Sequence, residues 1–521
     1  MSSMKIIIPI AGSSEDFEKE GLGHKPLIRI DNKTMIENVY SMFPKTTDIL
    51  FICREENRQK LEPTIKKLDH GTLISINKPT RGSMETILEA DLFVDKDDEI
   101  IVQHDDSLSV FDFNDFISAA RHADGALTVF AGFNPAAYTG QTYGLIKADK
   151  NRVTEIVEKQ PFALTAEHGY TATGTYYFKS WSLFKQCAGK LLRENKSLNG
   201  IFYDSLVYNE MIADGKSVVS FNAAQFINWG SPTSVKEYLF WSNYFSGLLK
   251  KKQRVAHNMI NLIPAAGRGK RFVDAGYTTP KALINVLGRP MIVGSALSLP
   301  KASRNIFVIL KEQVTQYSLD KVFKENIPSC DIVVIDDVTD GMARTCLMAE
   351  HLLEKDKQLL ISSCDYSFVY DEEKLKQIID REKPDAMIWT FREYPDARLA
   401  PKAYAYVVIE NGRITRISEK VPISDTPHKD HIVQGIFWFK DVETFLWCAK
   451  QMIEKKITVN GEYYVATAMN ELIEAGKKVV PFELEKYICW GTPLDLKTFE
   501  FWENYFSDLS SHPYVKGVNV W

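Results

Sequence analysis

The sequence predicts an α/β protein in which one mixed-sheet domain is built twice in tandem. Three observations predict it: a segment that recurs at the two domain ends, further motifs in step with it, and alternating β-rich and amphipathic runs in each half. Residues 229–246 read WGSPTSVKEYLFWSNYFS and residues 490–507 read WGTPLDLKTFEFWENYFS. Ile6-Ile7-Ile8-Pro9-Ile10-Ala11-Gly12 pairs with Asn261-Leu262-Ile263-Pro264-Ala265-Ala266-Gly267, and Tyr143 to Lys159 pairs with Tyr404 to Lys420. Asn199-Gly200, Tyr203 and Asn209-Glu210 pair with Asn460-Gly461, Tyr464 and Asn470-Glu471. A chain of 521 residues is also too long for a single core. The repeat divides it into residues 1–250 and 257–521, with the boundary in the stretch 248–257.

Within the second copy the elements follow in order. Ile260–Pro264 reads as a strand, then comes a glycine loop, then a helix near Pro290–Leu299. Asn305–Leu310 and Gln358–Ser363 read as further strands, and such alternation is the signature of a mostly parallel sheet covered by helices. Ala405–Ile409, Asn411-Gly412 and Ile414–Ile417 read as an antiparallel hairpin, because Asn-Gly suits a type I′ turn. The expected sheet is therefore mixed, with a Rossmann-like first part. Ligands of such sheets bind beyond the carboxyl ends of the parallel strands.

Composition excludes several classes. Hydrophobic residues at 45% and charged residues at 25% are ordinary for a soluble globular protein. A net charge of -5 gives no reason to expect nucleic acid, and the basic run Lys250-Lys251-Lys252 with Arg254 reads as a solvated linker. No apolar stretch is long enough to cross a bilayer, and Ile6-Ile7-Ile8-Pro9 reads as a first strand rather than a signal peptide. The seven cysteines are scattered without a C-x-x-C pair, which argues against a disulfide framework and a zinc site and for a cytoplasmic location. Association of copies into a homo-oligomer stays open.

The strongest local signal is Gly267-Arg268-Gly269-Lys270-Arg271-Phe272, directly after a strand, with Pro280-Lys281 shortly beyond. Two glycines let the backbone approach a polyphosphate, and exposed N–H groups with Arg271 can neutralise it. The loop is neither a Walker A motif, since no Lys-Ser/Thr closes it, nor a dinucleotide fingerprint, since Phe272 replaces the third glycine. The succession of strand, G-x-G-x-R-F and Pro-Lys resembles the sugar-phosphate nucleotidyltransferases, or nucleotide-sugar pyrophosphorylases. The Ile-Pro-x-Ala-Gly opening is similar to members associated with surface polysaccharide synthesis. The resemblance covers essentially all of 258–508 and, more weakly, 4–247.

The resemblance implies two tandem glycosyltransferase-A-like domains. It also implies reaction of a nucleoside triphosphate with a sugar 1-phosphate, giving a nucleotide sugar and pyrophosphate. It places Ala266, Gly267, Gly269, Arg271 and Gly341 at the nucleotide and Glu419, Lys420, Gly435 and Glu462 at the acceptor. Arg271, Lys281, Asp365 and Lys420 would be the catalytic charges, with Asp365 holding Mg²⁺. Many relatives carry a second metal-binding aspartate before the late Gly-Thr. Here that stretch is Ile488-Cys489-Trp490-Gly491-Thr492, so Glu462 or Asp495 could assist, or phosphates and water could complete the metal shell.

The chemistry is reasonable without the family. An acceptor phosphate is already an ionised nucleophile, so no histidine or serine base is needed. In-line positioning and charge neutralisation suffice, and a carboxylate-held Mg²⁺ with two or three cations supplies them. Each residue has a bland alternative. Asp365 could cap a following helix, Glu419-Lys420 could be an exposed hairpin-end pair, and Cys364 reads as a small strand residue. The Phe240-Trp241 and Phe501-Trp502 pairs read as helix core or interdomain contact.

The first copy keeps Lys25-Pro26, Asp106, Glu158-Lys159 and Gly174 but replaces Lys270 and Arg271 by Glu15 and Asp16. Glu462 is matched by Ile201 and Asp495 by Ser234. Two anions in place of two cations disfavour a triphosphate strongly. The first copy is therefore expected to be degenerate, structural or regulatory. Alternatives are a cytidylyltransferase acting on phosphocholine or another phospho-alcohol, a bifunctional enzyme, and a non-catalytic tandem regulatory protein. A glycosyltransferase of related fold would not need the loop and Pro-Lys.

Overall fold

A computed structural model describes residues 3–250, 255–327, 329–394, 397 and 400–518. Lys251, Lys252 and Arg254 of the basic run lie outside these residues. The chain divides into two units, Met1–Asn243 and Tyr244–Trp521. The division falls inside the helix Pro232–Leu248, ahead of the stretch 248–257.

In the second unit the strand Ala256–Pro264 is flanked on both sides by parallel partners, Lys301–Leu310 and Gln358–Ser362. From Met259 to Ile263 burial does not alternate, because both faces of the sheet are covered there. Leu262 and Ile263, on opposite faces, are both buried. Cys330–Ile335 adds a fourth parallel strand outside Lys301–Leu310. On the other side the sheet turns antiparallel through Ile432–Phe439, followed by Ala386–Phe391 and Val479–Glu483. This is the mixed sheet the sequence predicts, with two tandem glycosyltransferase-A-like copies. The first unit repeats the order with Gly71–Ile76, Asp48–Arg54, Met4–Pro9, Glu99–Gln103, Tyr170–Phe178, Gly125–Phe130 and Val218–Asn222.

The expected helix near 290–299 spans Met291–Ser298. The hairpin strands run Ala405–Glu410 and Arg413–Glu419, and Asn411 and Gly412 both take positive φ, 51° and 76°, as a type I′ turn demands. Asn470 fixes the hairpin to the helix Val465–Glu474: its side chain accepts from Ile417 N at 3.0 Å and donates to Ile417 O at 3.2 Å. Asn209 makes the same two bonds to Ile156 at 2.9 and 2.8 Å, which explains why this asparagine recurs in both copies. The indoles of Trp241 and Trp502 are buried in their helices.

Candidate active site

The strand Ala256–Pro264 delivers the glycine loop to the carboxyl edge of the sheet. The buried side chain of Gln313 holds the loop, donating to Ala265 O at 3.1 Å and Gly267 O at 3.4 Å. Nothing in the local sequence marks Gln313 for this, because it arrives from a helix forty-odd residues on. Gly269 is left-handed, with φ 63°, and a Cβ there would fall 2.9 Å from Lys281 Cβ. The glycine therefore lets the loop close over Pro280-Lys281. Arg268 turns away to Glu312 and Asp337, both at 3.0 Å. Lys270 and Arg271 remain exposed at the start of the short helix Lys270–Asp274.

Asp365 follows the strand Gln358–Ser362 and precedes the strand Tyr366–Val369, so it caps no helix. Lys281 Nζ lies 2.5 Å from Asp365 Oδ2, and Ser363 Oγ donates to Oδ1 at 2.7 Å. Burial opposes ionisation of this carboxyl, but the Lys281 charge and these hydrogen bonds outweigh it and hold its pKa below the ordinary value. Burial likewise opposes the Lys281 ammonium, and Asp365 overrides it, raising the lysine pKa.

Antiparallel pairing of Tyr366–Val369 with Lys486–Cys489 brings the late Gly-Thr turn beside Asp365. A Cβ on Gly491 would meet Asp365 Oδ2 at 3.1 Å. Asp495 is engaged as a helix cap, accepting from Thr492 N at 3.0 Å and Thr492 Oγ1 at 2.7 Å. Cys489, which stands before the turn, has its thiol pushed well above its ordinary pKa by burial and by Asp495 and Asp365. It is a neutral thiol at neutral pH. Among the described residues no group of three or more His, Cys, Asp or Glu is arranged to hold a metal ion. The donor set nevertheless suits Mg²⁺, a hard cation that commonly takes one or two carboxylates and completes its shell with phosphates and water. Asp365, held ionised beside Lys281, is a carboxylate lining the cleft that could hold it.

Glu419 ends its hairpin strand and Lys420 takes φ 61°. This left-handed turn directs Lys420 Nζ to Ala403 O at 2.6 Å and over the Tyr464 ring at 5.8 Å. Burial raises the Glu419 pKa, Lys420 opposes the rise and Glu462 adds to it. Tyr464 OH donates to Glu462. Gly435, φ 94°, lies on the strand Ile432–Phe439, and its carbonyl accepts from Tyr366 OH at 2.9 Å.

These groups share one cleft of about 660 Å³, lined by Gly269, Arg271, Lys281, Asp365, Glu419, Lys420, Gly435 and Glu462. Ala266, Gly267 and Gly341 lie outside its lining. Ala266 is buried, while among the described residues a Cβ on Gly267 would meet nothing within 4 Å. Gly341 has a packing reason of its own: a Cβ there would fall 2.4 Å from Tyr463 N.

The nucleotidyl transferase family model matches residues 22–242 and again 260–508. The chain belongs to that family, in two copies. No curated protein matches it. Similar solved structures include the nucleoside-diphosphate-sugar pyrophosphorylase of Vibrio cholerae RC9, 20% identical, TM-score 0.38, matching 46% of this chain and 99% of that one. The inositol-1-phosphate CTP transferase of T. maritima is 16% identical, TM-score 0.38, matching 47% and 95%. A UDP-glucose pyrophosphorylase complexed with UDP-glucose is 16% identical, TM-score 0.38, matching 48% and 100%.

The nucleotidyltransferase copy in the first unit keeps part of the geometry. Lys25 Nζ reaches Asp106 at 2.6 Å and Asp105 at 3.1 Å, and Lys159, φ 60°, lies over Tyr203 at 5.3 Å. His104 Nε2 meets the buried Asp204 at 3.2 Å, where the second copy has Ser363 and Val465. At the nucleotide loop, however, Glu15 and Asp16 open the helix Glu15–Lys19, and Glu15 pairs with Lys19 at 2.7 Å. Among the described residues no helix is long and apolar enough to cross a membrane.

Proposed function

We propose that the second copy transfers a nucleoside monophosphate from a triphosphate to a sugar 1-phosphate, and that the first copy does not. The observation that carries this reading is the Lys281–Asp365 pair in a cleft that Arg271, Glu419, Lys420 and Glu462 also line. In the first copy the loop position of Arg271 is taken by an anion.

An oxygen of the acceptor phosphate attacks the α-phosphorus. A P–O bond forms there while the bond to the bridging oxygen breaks, and pyrophosphate leaves with that electron pair. Arg271 and Lys281 neutralise the triphosphate, and Lys420 holds the acceptor phosphate in line. Asp365 would hold Mg²⁺, which adds positive charge at the phosphates. No side chain need act as a base, since the acceptor is ionised already. Supply of a nucleotide sugar for surface polysaccharide synthesis in the cytoplasm is the role that fits this reading.

Pyrophosphate release with the four common triphosphates against a panel of sugar 1-phosphates and phospho-alcohols tests the reading. It predicts one preferred triphosphate and turnover with a sugar 1-phosphate. Release with phosphocholine alone would overturn the acceptor, and release with no pair would overturn the reaction.

A further inference from the structure

Gln434 is 4% exposed, lines the cleft beside Gly435, and among the described residues neither its Oε1 nor its Nε2 has a hydrogen-bond partner. A buried amide with both polar atoms unsatisfied is unfavourable, and such groups in folded proteins call for an explanation. The repeat shows that the fold itself does not impose it. In the first copy the bulged strand sets Thr173 opposite Thr128, and their hydroxyls bond each other at 2.6 Å. In the second copy the same bulge, residues 434–436 opposite Trp389, carries Gln434 in place of that threonine. The Trp389 indole N–H is likewise without a partner among the described residues. Bulges beside active sites commonly re-aim a side chain.

Resting on the reading of this cleft as the transfer site, we propose that Gln434 recognises hydroxyl groups of the acceptor, which is therefore the phosphate of a polyhydroxylated ring. The chemistry of the amide selects this class. Oε1 needs a donor and Nε2 an acceptor, and hydroxyls supply both. A phosphate or carboxylate satisfies only Nε2. A quaternary ammonium, as in phosphocholine, satisfies neither.

The test uses the full chain with Gln434→Leu, which keeps a similar volume and removes both polar atoms. Thermal melting gives a readout independent of any substrate. A Tm at or above the parent's is expected, because an unsatisfied amide is removed; a lower Tm would show that the amide is already satisfied within the protein and overturn the inference. In steady-state assays with the preferred sugar 1-phosphate or cyclitol phosphate, Gln434→Leu is expected to lower kcat/KM for the acceptor by roughly 10- to 100-fold while the triphosphate KM holds. Among single deoxy analogues of that acceptor, at least one is expected to be poor for the parent and insensitive to the substitution. An unchanged kcat/KM in the variant, or phosphocholine as the parent's best acceptor, would overturn the inference while leaving nucleotidyl transfer itself intact. Absence of any transfer by the parent would instead strike the underlying reading.

Discussion

Lys281 Nζ and Asp365 Oδ2 stand 2.5 Å apart, joining the Pro-Lys beyond the glycine loop to a turn after a strand 84 positions later in the sequence. The pair is partly buried, so each partner controls the charge of the other. Lys281→Gln should lower turnover by roughly 100-fold. It should also move the acid limb of the pH–rate profile upward. Burial pushes the Asp365 carboxyl up and Lys281 is the main opposing influence, so losing the lysine raises that pKa. An acid limb that stays in place would show that Asp365 does not govern it.

The two loop glycines should behave differently. Gly269→Ala forces a side chain onto Lys281 Cβ at positive φ, so both Tm and turnover should fall. Gly267→Ala meets open space and should leave Tm unchanged, while raising the triphosphate KM if backbone there approaches the polyphosphate. Arg271→Ala, at an exposed site, should lower turnover by roughly 100-fold with Tm held. Melting curves and initial rates on the three variants check these outcomes.

Divalent ions should be required. Chelation should stop pyrophosphate release and Mg²⁺ should restore it, since Asp365 is a hard oxygen ligand and Cys489 a neutral thiol. Full activity in excess chelator would remove the metal from the mechanism.

The first copy carries its own pH dependence. Burial opposes the charge on His104, yet Asp204 overrides it and raises the pKa from 6.5 to about 9. Folding then favours the protonated ring. Its stabilisation is complete below pH 6.5 and is lost as pH rises through about 9. The double variant His104→Ser with Asp204→Val carries the second copy's residues and should lose less Tm than the parent across that window. Parallel Tm curves would contradict the ion pair.

Much of this was legible in the sequence because its determinants are local or repeated. The duplicated W-G-x-P segment marks two copies, Asn411-Gly412 marks the hairpin turn, and strand–loop–Pro-Lys marks the cleft edge that includes Lys281. What was not legible depends on contacts between distant segments. Gln313 holds the glycine loop from another helix, Asp495 serves its own helix cap, and Gly341 is glycine because Tyr463 backbone crosses it. Gln434 looks like any strand glutamine until its burial without partners among the described residues is seen.

Transfer by the second copy and none by the first is the expected division of labour. Pyrophosphate release by Asp365→Asn and Asp106→Asn in the 521-residue chain, each with the preferred substrate pair, checks this. Asp365→Asn is expected to lose roughly 1,000-fold and Asp106→Asn to keep turnover within about three-fold of the parent. Loss of a product activity in Asp106→Asn, or near-normal turnover in Asp365→Asn, would contradict it.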